Sequence, residues 1–387
     1  MSPVDLEATP PTKRLARLGL LVPGLGHLLA GEFIPAGALF LQSAVLFLAA
    51  TRGFTRLEAV LRPDGHLLVH PVLALLAWFL IAAIVGLLAW RQAFPVPRAP
   101  GPTTWTALVT RGFAAHRAGM LGLAGVALLT SLTLLTPLIA PFDPLALDTG
   151  RPLTPPSWVH PLGTDYFGRD VLSRLLYGGR ISLSIGFFAV AIAATTGTLV
   201  GAVAGYVGGA IDRLLMALVD LLLAFPNLLL LITVTGLFRL RGFANLALIV
   251  GVLGLTGWMA VARIVRSQVL ALREQEFVQA AIALGLGHWR ILLGQILPNA
   301  LAPVIVYCTL AIGSTMLSEA ALSFLGLGVP PPTPTWGVMI EEGGDVLQTA
   351  PWIATFPGLA ILAAVMCFNL LGDGLRDALD PRLRTGP

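Results

Sequence analysis

The sequence predicts an all-α integral membrane protein, and three features carry that expectation. Of 387 residues, 56% are hydrophobic and only 11% are charged, against roughly 25% charged in an ordinary soluble domain, and the mean hydropathy is +0.85. The apolar residues fall in runs long enough for helical spans, each of which needs ~20 residues to cross a hydrocarbon core about 30 Å thick. Between runs stand proline-rich stretches, such as residues 95–102 and 326–336. The length leaves no room for a large catalytic domain. A net charge of +4, from 24 basic and 20 acidic residues, gives no basis for nucleic-acid binding.

The elements follow in order. Residues 1–17 are polar and carry Lys13, Arg14 and Arg17. The next apolar stretch, 18–30, is broken by Pro23, Gly24 and Gly26, so it is expected to lie at the interface or re-enter, and no compact segment with a cleavage site marks a signal peptide. Clean spans are expected at 33–50 and 68–90, joined by a loop with Arg52, Arg56 and Arg62. Residues 91–117 hold Pro95, Pro97, Pro100 and Pro102 with four arginines and no acid; they read as a basic linker. The chain therefore divides into an N-terminal membrane module (1–90), the linker (91–117) and a larger membrane domain (118–387). In the last, spans are expected near 118–140, 181–207, 214–236, 244–265, 299–322 and 353–374. With the N-terminus inside, 15 of the basic residues fall on the inner side and 9 on the outer, which places both termini in the cytoplasm. Cys308 and Cys367 lie within apolar runs, where a thiol packs as a small hydrophobe.

Several chemistries are excluded by residue type. A phosphate-cradling loop needs a lysine followed by Ser or Thr, and the single lysine, Lys13, is followed by Arg14. The chain is not its own P-loop ATPase. The six histidines form no zinc-protease pair with an intervening glutamate. His66 and His70 have metal-compatible i, i+4 spacing, but no carboxylate or thiol lies close in sequence, so no metal site is expected. The G-x-S-x-G turn of α/β-hydrolases is absent. No enzymatic activity is expected of this polypeptide.

The most informative stretch is 266–298, RSQVLALREQEFVQAAIALGLGHWRILLGQILP. Arg273, Glu274, Glu276, His288 and Arg290 recur among apolar residues at helical spacing, so the segment cannot span and reads as an amphipathic helix–turn–helix. Gly285 and Gly287 supply the turn. Ala280, Ala281 and Ala283 give the helix a small-residue surface that another protein can approach closely, and Pro298 suits the first turn of the next span. The competing reading is a solvated inner loop.

This stretch resembles the EAA coupling loop of permease subunits in binding-protein-dependent ABC importers, whose pattern is Glu-Ala-Ala, three residues, Gly, then a downstream Leu-Pro. Gln279, Ala280, Ala281, Gly285, Leu297 and Pro298 fall on it, with Gln279 in place of the glutamate and Glu276 nearby as a substitute charge. Residues 162–186, 208–232 and 318–384 narrow the resemblance to the second permease of the dipeptide/oligopeptide/nickel branch. It covers about 118–384. It implies a type I importer bundle of six spans, here preceded by about two extra spans, in a bacterial cytoplasmic membrane. It also implies a second homologous permease, two cytoplasmic ATPases that hold ATP and magnesium, and an extracytoplasmic binding protein. The cargo implied is peptides, with nickel or another small solute as the alternative. This chain would hold no cofactor.

Other candidates lie outside the coupling loop. In LGTDYFGRDVLSRLL, charged Asp165, Arg169, Asp170 and Arg174 alternate with apolar residues, which suggests an amphipathic helix lying at the outer interface, either structural or part of a binding-protein contact or outer gate. GLGVPPPTPTW, ending at Trp336, cannot be helical and at membrane depth must be buried or line a cavity. Asp220 and Glu319 are ionisable residues inside spans and so are pathway candidates, unless each pairs with a neighbouring helix. A secondary transporter working alone, or a membrane scaffold, stands as the alternative from another class. The first would favour an inverted repeat, and none is clear.

Overall fold

The computed structural model describes residues 105–379 apart from 148, 239 and 241. The N-terminal spans at 33–50 and 68–90, the segment 18–30, His66 and His70, and the start of the linker lie outside the described residues. Those that are described are mostly helical, with longer non-helical stretches at 140–170 and 325–335 and one isolated bridge between Thr164 and Asp170. In chain order these are α1 (Trp105–Ala115), α2 (Arg117–Leu134), α3 (Thr136–Ile139), α4 (Val171–Val207), α5 (Gly209–Leu223), α6 (Asn227–Leu237), α7 (Phe243–Arg273), α8 (Glu276–Ala283), α9 (His288–Phe324), α10 (Trp336–Gly344) and α11 (Trp352–Leu379). Five are long and apolar enough to cross a membrane. The sixth crossing is the pair α5–α6, bent by 82° where Pro226 follows Phe225: proline lacks an N–H and its ring crowds the preceding turn.

Glycine contacts fix the relative directions of the spans. A Cβ at Gly197, Gly201 or Gly205 of α4 would meet Trp258, Ala262 or Arg266 of α7 in turn, so α4 and α7 run parallel and α5–α6 must carry the chain back across between them. The i, i+4 glycines lie on one face. In lipid, where apolar burial gives little drive between helices, such small residues let backbones approach closely. Gly119, Gly122 and Gly125 of α2 meet Gly374, Leu371 and Cys367 of α11 in descending order, an antiparallel pair. Gly313 of α9 lies against Val365 of α11, and Gly186 of α4 against Met316 of α9. One end of the bundle therefore gathers Arg117, Val207, Arg273, His288 and Leu379. The other gathers the loop 140–170, the turn after Leu237 and residues 325–351.

Three expectations change. Part of the stretch read as linker, Trp105–Ala115, is helical and buries Phe113 beside Met120 and Ala378, because its apolar face finds α11. The amphipathic segment after residue 162 is not an interfacial helix: Asp170 caps α4, accepting the Ser173 N–H at 2.8 Å, and the helix runs unbroken for 37 residues. At 1.5 Å per residue it spans about 55 Å, well beyond the hydrocarbon, so its charged first turns project past the core. The inner loop is also shorter than 266–298, since α7 remains helical to Arg273 and α9 begins at His288. At the start of α9, residues Leu292–Ile296 form a π-turn, with the Leu297 N–H bonded to the Leu292 carbonyl. The wider turn precedes Pro298, whose ring would otherwise crowd the helix.

Candidate functional site

Three sites are built on this frame. At the end that gathers Val207 and Arg273, α8 lies between α7 and α9. Val278 and Ala281 are buried against Val269, Ile291 and Ile296, while Glu276, Gln279 and Ala280 face outward. Ala281 is thus a packing residue, and the open face is Ala280 and Ala283 with exposed Phe277, Leu284 and Trp289. Gly285 follows α8 at φ +74°, a left-handed turn that glycine adopts without the Cβ clash of other residues. Its N–H bonds the Ile282 carbonyl and the Leu286 N–H bonds the Ala281 carbonyl. Leu297 is half-buried and Pro298 exposed. Gln279 Nε2 donates to the Arg273 carbonyl at 3.0 Å, so this side chain is used as an amide tying α8 to the end of α7. Arg273 in turn donates to the Tyr206 carbonyl at 3.3 Å, and the Tyr206 hydroxyl sits 3.0 Å from His288 Nδ1. The ends of α4, α7 and α9 are joined through Tyr206.

At the opposite end, three of the four charged residues of the 165–174 stretch, Asp165, Arg169 and Arg174, are joined by Glu342, 168 residues beyond Arg174. Arg174, with no exposed surface, bonds Asp165 Oδ2 and Glu342 Oε2, each at 2.5 Å. Arg169 bonds Asp165 at 2.7 Å and Glu342 at 3.3 Å, and its guanidinium lies 4.7 Å from the Phe167 ring centre. Two guanidinium groups thus face two carboxylates, a balance that buried charge demands. Asp170 bonds His160 Nδ1 at 3.0 Å as well as Ser173. Arg174 Nε is the one buried side-chain nitrogen or oxygen without a partner among the described residues. Trp336 opens α10, donating from Nε1 to the Leu175 carbonyl at 2.9 Å and from its N–H to Ser182 Oγ at 3.1 Å. Its ring rests on Gly179, where a Cβ would come within 2.9 Å. Residues 329 and 334–336 of the non-helical stretch are buried in protein. On α10, partial burial and the neighbouring Glu342 and Asp345 carboxylates push the Glu341 carboxyl above the ordinary range.

The third feature is a cavity of about 250 Å³ at the bend between α5 and α6, walled also by α4, α7 and α9. Asp220 and Glu319 do not line it. Asp220 pairs with Arg263 of α7, both half-exposed or more, beside the Asp212–Arg266 pair at 2.5 Å. Glu319 is 1% exposed and accepts from Ser323 at 2.8 Å and Ser182 at 3.5 Å. Sequence reasoning missed Glu342, His160 and the cavity hydroxyls. Glu342 stands in a plain acidic run, EEGGD, and nothing in the local pattern points to arginines so far away. Among the described residues no group of three metal-ligating side chains gathers.

Six crossings packed on small residues, a cavity at a proline bend and a short exposed helix lodged at one end define a polytopic membrane protein of the transport-permease class. Residues 197–385 match the family described as binding-protein-dependent transport system inner membrane component, and residues 103–156 match the N-terminal TM domain of oligopeptide transport permease C. The dipeptide transport system permease protein DppC of Alkalihalophilus pseudofirmus is 40% identical over 297 residues, covering 75% of this chain and 96% of that protein. DppC of Haemophilus influenzae is 40% identical over 278 residues, covering 70% and 93%. The glutathione transport system permease protein GsiD of an Escherichia coli strain is 45% identical over 229 residues, covering 59% and 74%. The chain belongs to the family of binding-protein-dependent transport system inner membrane components, and is a membrane-spanning permease subunit of an ATP-driven importer.

Proposed function

We propose that this chain forms half of a pathway that imports short peptides across a bacterial cytoplasmic membrane. An extracytoplasmic binding protein delivers them, a second homologous permease completes the pathway, and two ATPases hold the ATP and magnesium. On this reading the chain holds no cofactor and has no enzymatic activity, and the end carrying α8 faces the cytoplasm. The observation that carries the reading is the lodging of α8. Its inner face is packed on α7 and α9, its outer face is open, and Gln279, Arg273 and Tyr206 tie it to the ends of α7 and α4. An ATPase groove that moved α8 would draw α4, α7 and α9 with it as a rigid group. Rocking of that group about the α5–α6 bend would open the cavity to one side and then the other, as alternating access requires. The relatives named for dipeptides and glutathione support peptide cargo.

The test is reconstitution. The chain, the second permease, the ATPases and a loaded binding protein in proteoliposomes are expected to take up a labelled dipeptide only with ATP. Uptake without ATPases, or by this chain alone, would favour the stand-alone transporter and overturn the proposal.

A further inference from the structure

The cavity at the α5–α6 bend has two unlike walls. On α9, Ser314 and Ser318 stand one helical turn apart with Thr315 beside them, and Thr256 of α7 joins them. Each hydroxyl donates into its own helix: Ser314 and Thr315 to the Ala311 carbonyl at 3.0 and 2.7 Å, Ser318 to the Ser314 carbonyl at 3.0 Å, Thr256 to the Leu253 carbonyl at 3.1 Å. A hydroxyl whose proton is committed still has oxygen lone pairs to accept with. The wall therefore offers hydrogen-bond acceptors to whatever fills the cavity. The opposite wall, from α5 and α6, is mostly apolar, with Leu222, Phe225 and Leu230, and carries one amide, Asn227, at the start of α6. No acidic, basic or histidine side chain stands among the lining residues.

We infer that this wall is a hydroxyl rail for the donor groups of the cargo. Ser314, Ser318, Thr315 and Thr256 accept from the amino terminus and backbone N–H groups of a short peptide while its side chains face the apolar wall. The inference rests on the peptide reading above. A rail of neutral acceptors binds what all peptides share. It leaves this half of the pathway indifferent to side-chain charge, because a fixed charge would favour one sign and repel the other.

The test uses the full reconstituted importer, with the binding protein saturated by either a lysyl or a glutamyl dipeptide, and reads the ratio of their initial uptake rates. The ratio does not depend on how much complex assembles. Wild type is expected to move both at comparable rates. Ser314→Asp places a carboxylate on the rail and is expected to shift the ratio toward the lysyl peptide by at least about tenfold. The double variant Ser314→Ala, Ser318→Ala is expected to slow both peptides together by roughly tenfold, with the assembled complex recovered at wild-type yield. An unchanged ratio in Ser314→Asp, or wild-type rates in the double variant, would overturn the rail while peptide transport stands. A wild-type complex that moves neither peptide would sink the peptide reading and the rail with it.

Discussion

Replacing Gly201 with alanine tests the packing that makes α4 and α7 one rigid pair. A Cβ at that position would lie 2.4 Å from the Ala262 carbonyl oxygen and 2.9 Å from Val265 Cβ, against an ordinary contact of about 3.5 Å or more. Both near atoms belong to a helix backbone or to a branched side chain fixed at its root, so the helices must part by roughly 1 Å locally. A gap of that size forfeits a quarter to a half of the contact energy across the seam, and overpacking of this kind costs about 1–3 kcal/mol. The gain in helix propensity from glycine to alanine, about 1 kcal/mol, offsets part of it. Gly251, on α7 itself, has no atom within 4 Å of a built Cβ, so Gly251→Ala receives the propensity gain alone. Thermal unfolding of the purified importer should therefore place Gly201→Ala below Gly251→Ala by a few degrees, at about 2 °C per kcal/mol for a chain of this size. If Gly201→Ala melts with wild type, or if both variants fall equally, the argument from close approach is wrong.

Three further outcomes are expected. Glu342→Gln removes one of two carboxylates facing two buried guanidinium groups, so it should destabilise the protein by about 3 kcal/mol, and the double variant Arg174→Met, Glu342→Leu should recover part of that loss in the same melting assay. Gly285→Ala forces a side chain into the left-handed region at a cost of about 1–2 kcal/mol; the strain is confined to the turn after α8, so binding-protein-stimulated ATP hydrolysis should fall without a matching fall in melting temperature. Glu319→Gln should leave uptake per folded complex unchanged while lowering stability, because Glu319 holds Ser323 and Ser182 and does not reach the cavity; a loss of uptake without loss of stability would return it to the pathway.

The legible part of this molecule is the part written in local pattern. Apolar runs gave the spans of the described chain to within a few residues at α2 and α11, because a span must satisfy its own backbone in lipid and so betrays itself by length. The exposed helix α8 and its glycine turn were equally readable, since charge at helical spacing and a left-handed turn need no distant partner. The periodic charges of residues 165–174 misled for a physical reason: an amphipathic stripe has the same spacing whether its polar face meets water or a buried counter-charge, and Glu342 lies 168 residues beyond Arg174.

By itself, then, the sequence determined the membrane class of the protein and the place of the short exposed helix α8 with its glycine turn. Tertiary structure alone decided how those pieces act together. It buried Ala281 against α7 and α9, tied the exposed Gln279 to the Arg273 carbonyl, paired Asp220 with Arg263, sealed Glu319 among serines, and left a cavity walled by hydroxyls and leucines. The reason is range: composition and period record what each segment needs from water or lipid, while pairing across a bundle depends on which faces meet, and that is set by close-packed glycines and a proline bend acting over the whole chain.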